Sequence, residues 1–110
     1  MSNGGCVAET EIAVVCDAGP IIHLDELSAI DLLEDFAAVY VPGAVWAEVM
    51  RHRPAALESK SIVLTQVAVE MNDDPAFMAL AQALALDAGE QEAIRFARAH
   101  SNIILLTDDA

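Results

Sequence analysis

Basic residues are scarce in this chain: five Lys and Arg stand against 18 Asp and Glu in 110 residues, a formal charge of −13 at pH 7. Nucleic-acid backbones are held mainly by Lys and Arg, so the whole-chain charge argues against broad nucleic-acid binding. Two explanations of the acids remain: a solvated surface, or side chains that hold cations and so reverse the local field. Cysteine is rare too. Cys6 and Cys16 have no metal-type spacing, and Cys16 falls inside an apolar run, which reads as a buried thiol rather than half of a disulfide. No apolar run approaches the ~18 residues of a membrane span. The N-terminus has no charged-then-apolar leader, so the sequence reads as cytoplasmic, with no membrane partner. A glycine-rich phosphate loop, a Ser-His-Asp ordering and a Cys/His zinc cluster are all missing.

What the chain does have is apolar surface to bury. Hydrophobic residues make up 55% of it and the mean hydropathy is +0.42, which excludes disorder and fits one domain with one real core. The run over 12–16 is unbroken and β-branched, ends on Asp17, and is followed at once by Gly19 and Pro20. Such a run reads as a strand covered on both faces. A second fully apolar run, Ile103–Leu106, is followed by Thr107, Asp108 and Asp109. These two strands are the expected central neighbours of a sheet. Parallel and adjacent, they would bring Asp17, Asp108 and Asp109 to one carboxyl edge, where open α/β sheets place their ligands.

Between the two runs the pattern predicts helices over 20–27, opened by Pro20, and over 28–36, capped by Ser28. A strand over 39–41 is stopped by Pro42 and Gly43, and a helix follows over 44–51. A strand over 62–67 precedes a helix capped by Asp74, with Pro75 at its first position, running to about Leu86. The last helix is expected from Asp87 to about His100. Alternation of strands and helices predicts a three-layer α/β/α fold with a mainly parallel central sheet. Residues 1–11 read as a loose tail before it. Only four residues follow Leu106, so that strand is either an edge or the neighbour of a strand and helix the chain lacks.

The remaining acids divide by helix geometry. Glu90 shares a face with Ala93, Ile94 and Ala97, whereas Glu92, Arg95 and Arg98 point elsewhere. Glu90 is therefore expected at an inward-facing helix mouth. Asp87 and Glu90 equally match a capping box, which accounts for both without a ligand. Glu48 lies beside Val45 and Val49 at the border of an apolar stripe, with Arg51 and His52 one turn on; alone it reads as a solvated residue. His23, placed near the start of the first helix, reads as structural. Inward acids without compensating bases either share protons or bind metal. Oxygen donors of this kind suit Mg²⁺ or Mn²⁺, and the chemistry they serve is metal-assisted phosphodiester hydrolysis.

Four segments carry a resemblance. They are Val15-Cys16-Asp17-Ala18-Gly19-Pro20-Ile21-Ile22, Val41-Pro42-Gly43-Ala44-Val45-Trp46-Ala47-Glu48, Leu86-Asp87-Ala88-Gly89-Glu90-Gln91-Glu92-Ala93-Ile94 and Leu105-Leu106-Thr107-Asp108-Asp109. In order and spacing they resemble the PIN-domain family, metal-dependent nucleases best known as the toxin halves of toxin–antitoxin pairs. The resemblance covers residues 12–110 as one domain. It implies a ribonuclease using Mg²⁺ or Mn²⁺, with Asp17, Glu48 and Glu90 as metal-binding and catalytic acids. A fourth acid would come from the Asp108–Asp109 pair, Asp109 ahead of Asp108. It also implies a homodimer held inactive by a cognate antitoxin. Arg51, Arg53 and Lys60, lying near Glu48, are the expected contacts to RNA phosphates.

The chain departs from the family pattern in two places. Ala18 and Gly19 stand where the family has a hydroxyl residue, which removes a hydrogen bond that orients the ligands and so weakens metal affinity. The family also continues past the last acids with another strand and helix, so the domain is expected to be incomplete at its C-terminus. The rival reading is a non-catalytic module, a degenerate PIN-like or a receiver-like domain. A receiver needs a Lys at the end of a late strand, and the only lysine is Lys60.

Overall fold

A computed structural model describes residues 12–58, 62–70 and 74–107; the tail at 1–11, Lys60, Asp108 and Asp109 lie outside the described residues. In chain order the elements are β1 (Ala13–Cys16), α1 (Ala18–Glu26), a 3₁₀ helix (Ile30–Asp35), β2 (Ala38–Pro42) and α2 (Gly43–His52). A second 3₁₀ helix (Pro54–Glu58), β3 (Leu64–Val67), α3 (Pro75–Ala83), α4 (Ala88–Ala99) and β4 (Ile103–Leu106) complete them. The strands form one all-parallel sheet in the order β3-β2-β1-β4, with helices on both faces. This is the expected α/β/α architecture.

The pleat explains why β1 is apolar without interruption. Val14 and Cys16 face a large core built with Ile21, Val39, Val41, Val45 and Val49. Val15 points the other way, onto Ala93 and Phe96 of α4. β1 and β4 do pair in parallel, Cys16 opposite Leu106. They are not both central, however. Among the described residues β4 is an edge strand, and Ile104, on the face away from α4, is 46% exposed. Burial and the adjacent Asp17 charge push the Cys16 thiol up to about 12, so the expected buried thiol is also an unreactive one.

Two helix ends differ from the sequence expectation for one reason. The 28–36 helix capped by Ser28 is instead the 3₁₀ helix Ile30–Asp35, and its own cap, Ala29, makes no side-chain bond. Ser28 lies at φ 55° and closes α1: its N–H donates to the Asp25 carbonyl at 3.0 Å, and the Ala29 N–H to the Leu24 carbonyl at 2.7 Å. That pair of bonds is a Schellman turn. The same turn stops α3 at Ala83, short of Leu86, with Ala85 at φ 54° and bonds from Ala85 to Gln82 and from Leu86 to Ala81. Neither left-handed position carries glycine. α1 also starts two residues before Pro20, because Asp17 caps it, and His23 falls in its last turn rather than its first.

On the second face α4 is fixed by Phe96, whose ring lies 5.1 Å from that of Tyr40. α3 is held through Phe77 and Ala81; the Arg95 guanidinium sits 4.3 Å over the Phe77 ring. Among the described residues no helix is long and apolar enough to cross a membrane.

Two substitutions test this account by urea unfolding. Ile21→Ala, in a fully buried position, is expected to cost about 3 kcal/mol. Ala85→Gly, which relieves the left-handed alanine, is expected to raise stability by about 0.5–1 kcal/mol.

Candidate metal centre

Asp17 leaves β1 in extended conformation and still belongs to the sheet, its N–H donating to the Leu106 carbonyl at 2.9 Å. Its side chain turns back onto the helix that follows: Oδ1 accepts the Ala18 N–H at 2.8 Å. One residue, itself only 9% exposed, thus ends β1, caps α1 and presents a carboxylate at the sheet edge. The bond to Leu106 brings the ends of β1 and β4 together, as the apolar runs predicted. The positions of Asp108 and Asp109 lie outside the described residues.

The mouth of α4 meets this carboxylate. Asp87 Oδ1 accepts the Glu90 N–H at 2.8 Å, while Glu90 Oε1 accepts the Asp87 N–H at 2.9 Å, so the capping box is present. It does not remove Glu90 from the site. Glu90 lines a cavity of about 380 Å³ together with Asp17, Ala93, Ile94, Leu105 and Thr107. Between the two acids sits Gly89, where a Cβ would lie 3.1 Å from Val45 Cγ2, 3.5 Å from Asp17 Oδ1 and 3.6 Å from Asp87 Oδ1. A glycine there lets the helix mouth lie tight against Val45 of α2, with the Asp17 and Asp87 carboxylates at ordinary contact distance.

Burial is the main force raising the Asp17 pKa above 3.8. The Ala18 N–H pulls it back down, and the charges of Asp87, Glu90 and Glu48 push it up again. Three acids from two other helices therefore bear on one buried carboxylate. Asp87 is the member that sequence reasoning treated only as a cap. Its signal was its place directly before Ala88-Gly89-Glu90.

The expected substrate contacts differ in their surroundings. Arg51 is exposed at the end of α2, Arg53 is ion-paired with Asp25, and Lys60 is outside the described residues. A larger cavity of about 610 Å³ lies away from the acids, lined by Phe77, Arg95, Phe96, Arg98 and His100 among others. There Arg98 reaches Asp74 at 3.8 Å, so these arginines tie α3 to α4.

Among the described residues no three of His, Cys, Asp and Glu converge closely enough to form a metal-holding cluster. The donor chemistry nevertheless fits a hard divalent cation. The groups around Asp17 are carboxylates, and their mutual repulsion is the kind that a cation relieves.

A parallel α/β domain whose buried acid ends an inner strand, with two further acids at the mouth of a neighbouring helix, is of the class that binds ligands at the carboxyl edge of the sheet. The chain matches the family model described as PIN domain over residues 13–110, and it belongs to that family, whose fold is of nuclease type. No curated protein and no solved structure matches it.

A pH experiment tests the environment of Asp17. With its pKa raised on folding, the folded state binds more protons between 3.8 and the raised value, so stability falls as pH rises through that window. Metal-free Asp17→Asn, which keeps an oxygen for the Ala18 N–H, should therefore melt above the parent at pH 7. The difference should close as pH falls below 3.8.

Proposed function

We propose that this protein is a metal-dependent endoribonuclease, the toxin component of a toxin–antitoxin pair. The observation that carries the reading is the buried Asp17, repelled by Glu48, Asp87 and Glu90 within a PIN domain. Asp17, Glu48, Glu90 and an acid of the Asp108–Asp109 pair, Asp109 ahead of Asp108, would hold Mg²⁺ or Mn²⁺. The chemistry such an ion would supply is activation of a water and stabilisation of the leaving oxygen in hydrolysis of the phosphodiester.

The chain's own residues supply the setting. Asp17 is fixed by the Ala18 N–H, so one of its oxygens is already engaged and the carboxylate is held in one orientation. Asp87 orders Glu90 through the capping box. Leu105, Ala93 and Ile94 wall the cavity beside these acids. Exposed Arg51, three residues after Glu48, is the phosphate contact nearest the acids in sequence, with Lys60 beyond it. Arg53, committed to Asp25, contributes less than its position suggested. A cognate antitoxin and a second copy of the chain are the partners of this reading.

A degenerate, non-cleaving PIN module is the second reading. The buried methyl of Ala18 favours it, since no hydroxyl stands there to orient Asp17 or a bound ion.

Incubation of the protein with mixed RNA and Mn²⁺ separates the two. Cleavage is expected from the parent and is expected to fall by about 100-fold or more in Asp17→Asn and Glu90→Gln. Cleavage that survives both substitutions would sink the assignment of the site. A folded, Mn²⁺-binding parent that leaves RNA intact would establish the degenerate module.

A further inference from the structure

One contact joins the two helices that carry Glu48 and Glu90. Helix α2 begins at Gly43 after Pro42, and neither residue has a side-chain oxygen to cap it. The N–H groups of its first turn have no partner within the helix and need one from outside. Glu92 provides it. Its Oε1 accepts the Ala44 N–H at 2.8 Å, from a position 48 residues away in sequence. The carboxylate also lies at the positive end of the α2 dipole, which favours its charge there.

Glu92 follows Glu90 by two residues on α4, and Glu48 follows Ala44 by four, one turn along α2. The bond therefore fixes the first turn of one acid-bearing helix against the first turns of the other. Gly89 makes the same junction tight from the other side, because a Cβ there would stand 3.1 Å from Val45 Cγ2. The helices touch at Gly89 and are tied at Glu92, with Glu48 and Glu90 on either side of the seam. Both of those acids act electrostatically on Asp17.

We propose that Glu92 is a positioning residue for the metal site: by accepting the Ala44 N–H it sets the spacing between Glu48 on α2 and Glu90 on α4. The proposal rests on the reading of these acids as metal ligands. What it requires of Glu92 is an acceptor oxygen at the right reach, not a negative charge.

Two conservative variants separate these properties. Glu92→Gln keeps the oxygen and loses the charge; Glu92→Asp keeps the charge and withdraws the oxygen by one methylene. Mn²⁺ affinity is measured by titration of the folded proteins, beside hydrogen exchange at the Ala44 amide and thermal unfolding. Glu92→Gln should bind Mn²⁺ within about threefold of the parent, well inside the loss expected when an outer partner of a ligand is removed. Glu92→Asp should bind about 10- to 100-fold more weakly and exchange the Ala44 amide faster. If Glu92→Asp frees the Ala44 amide yet binds Mn²⁺ like the parent, Glu92 is a helix cap and nothing more, and the proposal falls. If Glu92→Gln is as weak as Glu92→Asp, the charge matters and the proposal falls too. A parent that binds no Mn²⁺ overturns the metal reading itself, and the role of Glu92 with it, whereas the failures above leave that reading standing.

Discussion

The structure turns on a carboxylate placed where carboxylates are costly. Asp17 sits at the end of the most buried strand, and its burial is part of how the fold is built: the N–H completes the β1–β4 ladder and Oδ1 starts α1. Those two bonds satisfy the residue as a structural element. They do not offset its charge, and among the described residues the side chains that act on that charge are acids: Asp87, Glu90 and Glu48. Nothing about holding β1 to α1 demands this, since an Asn or Ser would cap the helix as well. The excess negative charge is the part of Asp17 that folding does not explain.

The other acids reach this point through local backbone chemistry. Asp87 and Glu90 begin α4 by bonding each other's N–H groups, and Gly89 lets that first turn lie tight against Val45, beside Asp17. The capping box and the candidate ligand are thus compatible descriptions of Glu90. One oxygen is spent on the helix, and the side chain still borders the cavity that holds Asp17.

The legibility of each feature in the sequence followed the range of the interaction behind it. β1 and β4 could be read because burial on both faces leaves an unbroken apolar run. The caps at Asp74 and Asp87 could be read because a cap is satisfied within three residues of itself. Ser28 misled because a small polar residue suits either end of a helix, and here the left-handed turn closing α1 claimed it. Ala85 ends α3 against its own preference, so no residue type announced the stop. Glu92 seemed to point away from anything of interest, since a helical wheel knows only its own axis and the partner lies on another helix. Among the described residues β4 takes the edge of the sheet, one of the two places its short C-terminal flank allowed.

The β1–β4 pairing has a kinetic side. All three described strand pairs are parallel, and this one joins the first described strand to the last, with every described helix between them. Closing so large a loop costs chain entropy that helix formation between its ends does not recover. The Asp17–Leu106 bond and the cavity beside it need both ends of the described chain at once, so a chain in which β4 has not docked has the acids without the site.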